Sequence, residues 1–146
     1  MDTNIKDLME SQMKKILLVG SLLLTFSKVK ANEEILNHYV ELMKKESQSF
    51  KAFNEKDGEA FFRFERVHSK GERVSCMTCH TADPKSQGKT RANKIIDPIA
   101  PIANKDRFTD LAKVEKWFKR NCKDVYEREC TNIEKGNFIK YMMSIK

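Results

Sequence analysis

Cys76-Met77-Thr78-Cys79-His80 sets two thiols three residues apart and an imidazole directly after the second. That spacing serves three chemistries. In a c-type haem site the two sulfurs add to the two vinyl groups of the ring, and the adjoining histidine ligates iron. A zinc site needs two further ligands, and the candidates are Cys122, Cys130, His38 and His68. Cys122 and Cys130 lack the close spacing of a second half-site. A thioredoxin-like dithiol wants its Cys-x-x-Cys where a strand opens a helix in an α/β chain, whereas the periodicity here is helical. The motif therefore reads as a covalent haem c site with Cys76 and Cys79 as attachment points and His80 as iron ligand.

The compartment agrees with this chemistry. Met13-Lys14-Lys15, the apolar run Ile16–Phe26 and the small-residue site Val29-Lys30-Ala31 read as a secretory signal over 13–31. Its apolar run is shorter than the ~20 residues a membrane-crossing helix needs. Residues 1–12 are polar and acidic, unlike the start of a signal, so Met13 reads as the true start. The competing reading is an uncleaved anchor with a short cytoplasmic tail. Cleavage places the mature protein at 32–146, in the periplasm and off the membrane. This segment of 115 residues carries a formal net charge of +5 with no block of five like charges. Such a surface suits an acidic protein partner better than nucleic acid. If Cys76 and Cys79 hold haem, Cys122 and Cys130 are left in an oxidising compartment, as a disulfide or as two buried thiols. A disulfide there contributes about 2–3 kcal/mol by the chain-entropy argument.

The elements that must position the motif are helical. Ile35, Tyr39, Leu42 and Met43 give an apolar stripe to a helix over 33–50. A second helix is expected from Asn54 or Asp57 to Val67, with Ala60, Phe61 and Phe64 inside it and Gly58 either in its first turn or packed closely on another helix. Residues 81–108 contain all three prolines and little periodicity; a loop this long in a small domain is expected to wrap something. Thr109 is expected to cap a helix through Asn121 whose buried face holds Leu111, Val114, Phe118 and, at its end, Asn121. Thr131-x-x-Glu134 is a capping box opening a last helix with Ile133, Phe138, Tyr141, Met142 and Ile145 on its apolar side. No convincing strand is expected.

The second axial position on iron distinguishes one cytochrome c from another. Between Met77 and Met142 there is no methionine, and Met142 lies on an apolar helix stripe where it reads first as core packing.

The stretch from Cys76 to Lys135, with "DRFTD", "VEKW", "RNC" and "REC" in that order, resembles the high-spin cytochromes c of the sphaeroides haem protein type. The resemblance runs from about Gly58 to the end of the chain. It implies a small all-α, class I-like cytochrome c fold wrapped around one covalently attached haem, with His80 as proximal ligand. It further implies Asn121 as the distal ligand to iron, and a Cys122–Cys130 disulfide. A neutral amide oxygen is a hard, weak donor that suits ferric better than ferrous iron, so the resemblance also implies a ligand that leaves on reduction and opens iron to oxygen or nitric oxide. Its implied partners are a dihaem cytochrome c and a membrane b-type cytochrome. Three alternatives stay open: a low-spin electron carrier ligated by Met142, a gas sensor or scavenger, and a minor oxygen or nitric oxide reductase. Arg91 and Arg107, in the wrapping loop, are candidates for the neighbourhood of the propionates.

Overall fold

The computed structural model describes Met9, Glu10, Met13 and residues 31–146, so the leader expected over 13–31 lies almost wholly outside the described residues. The chain divides into two compact units, Met1–Lys30 and Ala31–Lys146. No helix among the described residues is long and apolar enough to cross a membrane.

In the second unit residues 31–46 are helical (α1). They are followed by α2 (Glu55–Arg63), β1 (Arg66–Val67), β2 (Arg73–Val74), α3 (Met77–His80), β3 (Gly88–Lys89), β4 (Ile95–Ile96), α4 (Leu111–Tyr126) and α5 (Asn132–Ser144). The strands form two short antiparallel ladders, β1 with β2 and β3 with β4, which the helical periodicity did not announce.

Capping chemistry sets the helix starts. The Asn54 side chain accepts from the amides of Lys56 and Asp57 at the start of α2. Thr131 and Glu134 make the reciprocal capping box of α5. For α4 the cap is Asp110, whose carboxylate accepts from the Lys113 amide, and not Thr109, whose hydroxyl donates to the Asp106 carbonyl. The anion at Asp110 satisfies an orphan amide and complements the positive end of the helix dipole. Two helices end earlier than expected. α1 stops at 46 before the turn into Phe50, and α2 stops at Arg63 because residues 66–67 pair with β2 instead.

One core joins the four long helices. It contains Ile35, Tyr39 and Met43 from α1, Phe62 from α2, Val114, Phe118 and Cys122 from α4, and Phe138, Ile139, Tyr141 and Met142 from α5. Each large apolar side chain so buried contributes on the order of 1.5–3 kcal/mol. Phe62 is the fully buried aromatic of α2, while Phe64, expected inside that helix, follows its last residue and is exposed. Tyr39 spends its hydroxyl on Glu115 Oε1 at 2.5 Å, and Lys135 Nζ reaches Glu115 Oε2 at 2.8 Å, so one carboxylate ties α1, α4 and α5.

The close crossing of α2 and α5 rests on Gly58. A Cβ there would lie 2.0 Å from the Asn137 carbonyl oxygen and 2.8 Å from Tyr141 Cβ. Backbone stands against backbone at this crossing, so no change of rotamer makes room. Gly58→Ala is expected to destabilise the protein by about 3 kcal/mol, at the upper end of ordinary overpacking. The check is the denaturant midpoint at unchanged m-value; a loss within experimental error refutes the close crossing.

Candidate haem site

The motif residues occupy a single helical turn. Cys76 caps α3 in helical conformation, His80 N–H donates to the Cys76 carbonyl at 3.0 Å, and the Ser75 amide donates to Thr78 Oγ1 at 2.9 Å. Residues at i, i+3 and i+4 share one face of such a turn. Cys76, Cys79 and His80 are therefore presented together. Both cysteines are free thiols and both are half-buried.

Protonation states separate the possible chemistries. Burial pushes the Cys76 thiol up to about 11, so it is not the low-pKa thiolate a dithiol redox site requires. Burial, with the Arg107 guanidinium adding to it, lowers His80 to about 4. Its imidazole is neutral at physiological pH, the form that ligates a metal. Cys122 and Cys130 are joined in a disulfide with Cα atoms 5.7 Å apart, so neither is available to a zinc ion.

Next to the motif, β3 approaches without a side chain. A Cβ on Gly88 would fall 1.9 Å from the Cys79 carbonyl oxygen and 3.0 Å from His80 Cα. Tyr126, from α4, stacks on Phe61 with centroids 4.6 Å apart and donates to the Phe61 carbonyl at 2.6 Å. It also interacts with the Cys76 thiol, a hydrogen bond that pulls Cys76 down against its burial while Cys76 helps to raise Tyr126.

The donor set fits a covalent haem. Two free thiols and a neutral imidazole share one face of the turn.

Asn121 lies where periodicity alone did not put it. The buried face of α4 runs Val114, Phe118, Cys122, Tyr126, and Asn121, one residue ahead of Cys122 and about 100° round the helix from it, is exposed. Among the described residues its amide has no hydrogen-bond partner. The amides of Asn32, Asn54 and Asn137, by contrast, are spent on backbone groups. Met142 is fully buried in the helix core. His38 is half-buried against Tyr39, and His68 faces Glu127 at 3.6 Å. Arg91 is exposed and pairs with Glu72 at 3.1 Å, whereas Arg107 is half-buried and donates to the Pro98 and Asp97 carbonyls. Gly88 and Asn137 carry structural roles that sequence reasoning missed. A glycine in an aperiodic loop and an asparagine on an apolar helix face were the available signals.

Helices around a Cys-x-x-Cys-His turn with a neutral histidine define a small monohaem c-type cytochrome. Residues 48–142 match a family described as a domain of unknown function, DUF1924. Cytochrome c-type protein SHP of Cereibacter sphaeroides is 46% identical over 85 residues, covering 58% of this chain and 66% of that protein. Cytochrome c″ of Methylophilus methylotrophus is 34% identical over 113 residues, covering 77% of this chain and 78% of that protein. The crystal structure of oxidised cytochrome c″ superposes with a TM-score of 0.74 at 33% identity, covering 81% of this chain and 97% of the other. The structure of oxidised SHP, described as an oxygen-binding cytochrome c, gives 0.65 at 37% identity, covering 76% and 94%. The chain belongs to the SHP-type family of cytochromes c, with the all-α cytochrome c fold and one covalent haem c.

Proposed function

We propose that this protein is an exported, periplasmic electron-transfer cytochrome in which His80 holds one side of iron and Asn121 the other, and in which Asn121 is the labile ligand. Haem supplies the one-electron couple and the gas-binding metal. Cys76 and Cys79 supply its covalent attachment, and the leader over 13–31 accounts for export to the compartment where attachment occurs.

The observation that carries the reading is the uncommitted amide of Asn121 within α4, one residue before Cys122, which a disulfide ties to Cys130 beyond the helix. A side chain that the protein's own hydrogen bonds do not use is free to ligate and to leave. Asn121 would hold the haem iron through this neutral oxygen, a donor that suits ferric better than ferrous iron, and the haem would supply the metal that binds oxygen or nitric oxide. SHP is described as oxygen-binding, and a solution study of cytochrome c″ concerns haem-ligand detachment, which supports the same behaviour here. The Met142 alternative would require a fully buried side chain to abandon the core of α5. As partners, the family suggests a dihaem cytochrome c and a membrane b-type cytochrome; the net positive charge of 32–146 favours an acidic docking surface on them.

Absorption spectra of the ferric and dithionite-reduced protein, with and without carbon monoxide, test this reading. A high-spin ferric spectrum and prompt carbon monoxide binding on reduction are expected. A ferric methionine-to-iron charge-transfer band, or a reduced protein indifferent to carbon monoxide, overturns it.

A further inference from the structure

Away from the buried face of α4, Lys116, Lys119, Arg120 and Lys123 fall at offsets of three, four and seven. Residues so spaced share one side of a helix, and all four are exposed. Like charges at these offsets repel one another and cost the helix stability. Elsewhere the chain meets its cations with acids: Arg63 with Glu59, Arg66 with Glu127, Arg128 with Glu134. Lys113, at the head of α4, has Asp110 at 3.6 Å. Among the described residues none of the four makes an ion pair. The acids of α4 itself are Glu115, spent on Tyr39 and Lys135, and the exposed Asp124. One negative charge therefore stands against four positive ones.

Trp117, the single tryptophan of the chain, borders this face and is exposed. Lys116 Nζ stands 5.9 Å and Arg120 Cζ 5.3 Å from its ring centroid. The ring holds two of the cations in place, which lowers the entropy lost when a partner engages them. Tryptophan and arginine are also the side chains that most often carry the energy of a protein interface. Val114, Phe118, Cys122 and Tyr126 are committed to the interior. The face thus has no apolar row to sink into a lipid surface, and its chemistry is charge around one aromatic anchor.

We propose that Lys116, Lys119, Arg120 and Lys123, with Trp117 at their edge, form the docking face for an acidic protein partner. The partner's carboxylates supply the negative charge that the chain itself withholds, steering the encounter and fixing its orientation. Asn121 follows Arg120 directly and lies one turn beyond Trp117, so a partner seated here covers the helix that carries it. What the partner does there rests on the electron-transfer reading above, whereas where it docks rests on α4 alone.

Reduction of the ferric holoprotein by an acidic one-electron protein tests this. The probe is flavodoxin hydroquinone, which passes one electron to ferric haem and becomes the semiquinone; neutral lumiflavin semiquinone is the small-molecule control. Lys119→Glu with Lys123→Glu is compared with Lys45→Glu with Lys51→Glu, an equal change of net charge at exposed residues elsewhere. The wild-type rate with flavodoxin is expected to fall steeply with added salt. At low salt the α4 pair is expected to slow it about tenfold or more and the control pair less than about threefold, with lumiflavin rates unchanged. Lys119→Gln with Lys123→Gln, the milder change to the same face, is expected to fall between. Equal losses in both Glu pairs, or none in either, overturn the docking face. Titrating oxidised flavodoxin into isotope-labelled holoprotein keeps the two readings apart. Shifted α4 amides without electron transfer uphold the face and refute the electron carrier, whereas transfer indifferent to the α4 charges does the reverse. Binding to phosphatidylglycerol vesicles through the same lysines, with none to flavodoxin, overturns the proposal in favour of a lipid surface.

Discussion

Asn121→Met converts the ferric spectrum from high spin to low spin and abolishes prompt carbon monoxide binding after reduction. A thioether is a soft donor that stays on ferrous iron, so it closes the position that an amide oxygen vacates. The substitution is well placed to report on ligation alone, because Asn121 is exposed and has no internal hydrogen bond to lose. Its effect on stability is expected within about 0.5 kcal/mol, the range of ordinary surface changes. The disulfide at the neighbouring Cys122 anchors this turn of α4, so the new side chain emerges from the same Cα position. Asn121→Ala is the companion variant: it removes the ligand without supplying another, and ferric protein is expected to take up added ligands faster than wild type. Paired absorption and magnetic circular dichroism spectra check both; a spectrum unchanged in Asn121→Met means that Asn121 is not on iron.

The largest structural effect is expected from Gly88→Ala. The added methyl would stand 1.9 Å from the Cys79 carbonyl oxygen, and both sides of that contact are backbone, so no rotamer change relieves it. Either β3 leaves β4, or the turn carrying Cys79 and His80 shifts. Overpacking of ordinary side chains costs about 1–3 kcal/mol, and a backbone-to-backbone clash is expected at or above the upper end, about 3 kcal/mol or more. Because attachment chemistry needs both thiols and the imidazole in one arrangement, the yield of covalently loaded protein should fall several-fold. Haem-stained gels of matched total protein, with denaturation of whatever holoprotein forms, measure the two consequences separately. Wild-type loading with wild-type stability removes the close approach from the account of the site.

Some of this architecture was legible residue by residue. The Cys76–His80 spacing announced its chemistry because the motif is local: i, i+3 and i+4 share a face in any helical turn. The capping box at Thr131 and the apolar stripe of α1 were readable for the same reason. Phe64 was misassigned because a helical period counted from Phe61 does not know that β1 will pair with β2 and end α2 at Arg63. In α5 buried side chains extend nearly all round the helix, so no stripe marks which residues meet α2, and Asn137 passed unnoticed although its side chain accepts from the Asn54 amide across 83 positions.

The sequence by itself determined the class of protein: a leader pattern, two thiols and a histidine at attachment spacing, helical periodicity and no methionine where a common distal ligand would stand. These are short-range properties, written in neighbouring residues. The tertiary structure decided which groups are spent and which are left over. It commits Met142 to the core, leaves the Asn121 amide without a hydrogen-bond partner among the described residues, brings the Gly88 backbone against the Cys79 carbonyl, and holds Arg107 on the carbonyls of Asp97 and Pro98. Burial, close approach and field are sums over residues distant in the chain, so they exist only once the helices and the wrapping loop have closed around the motif.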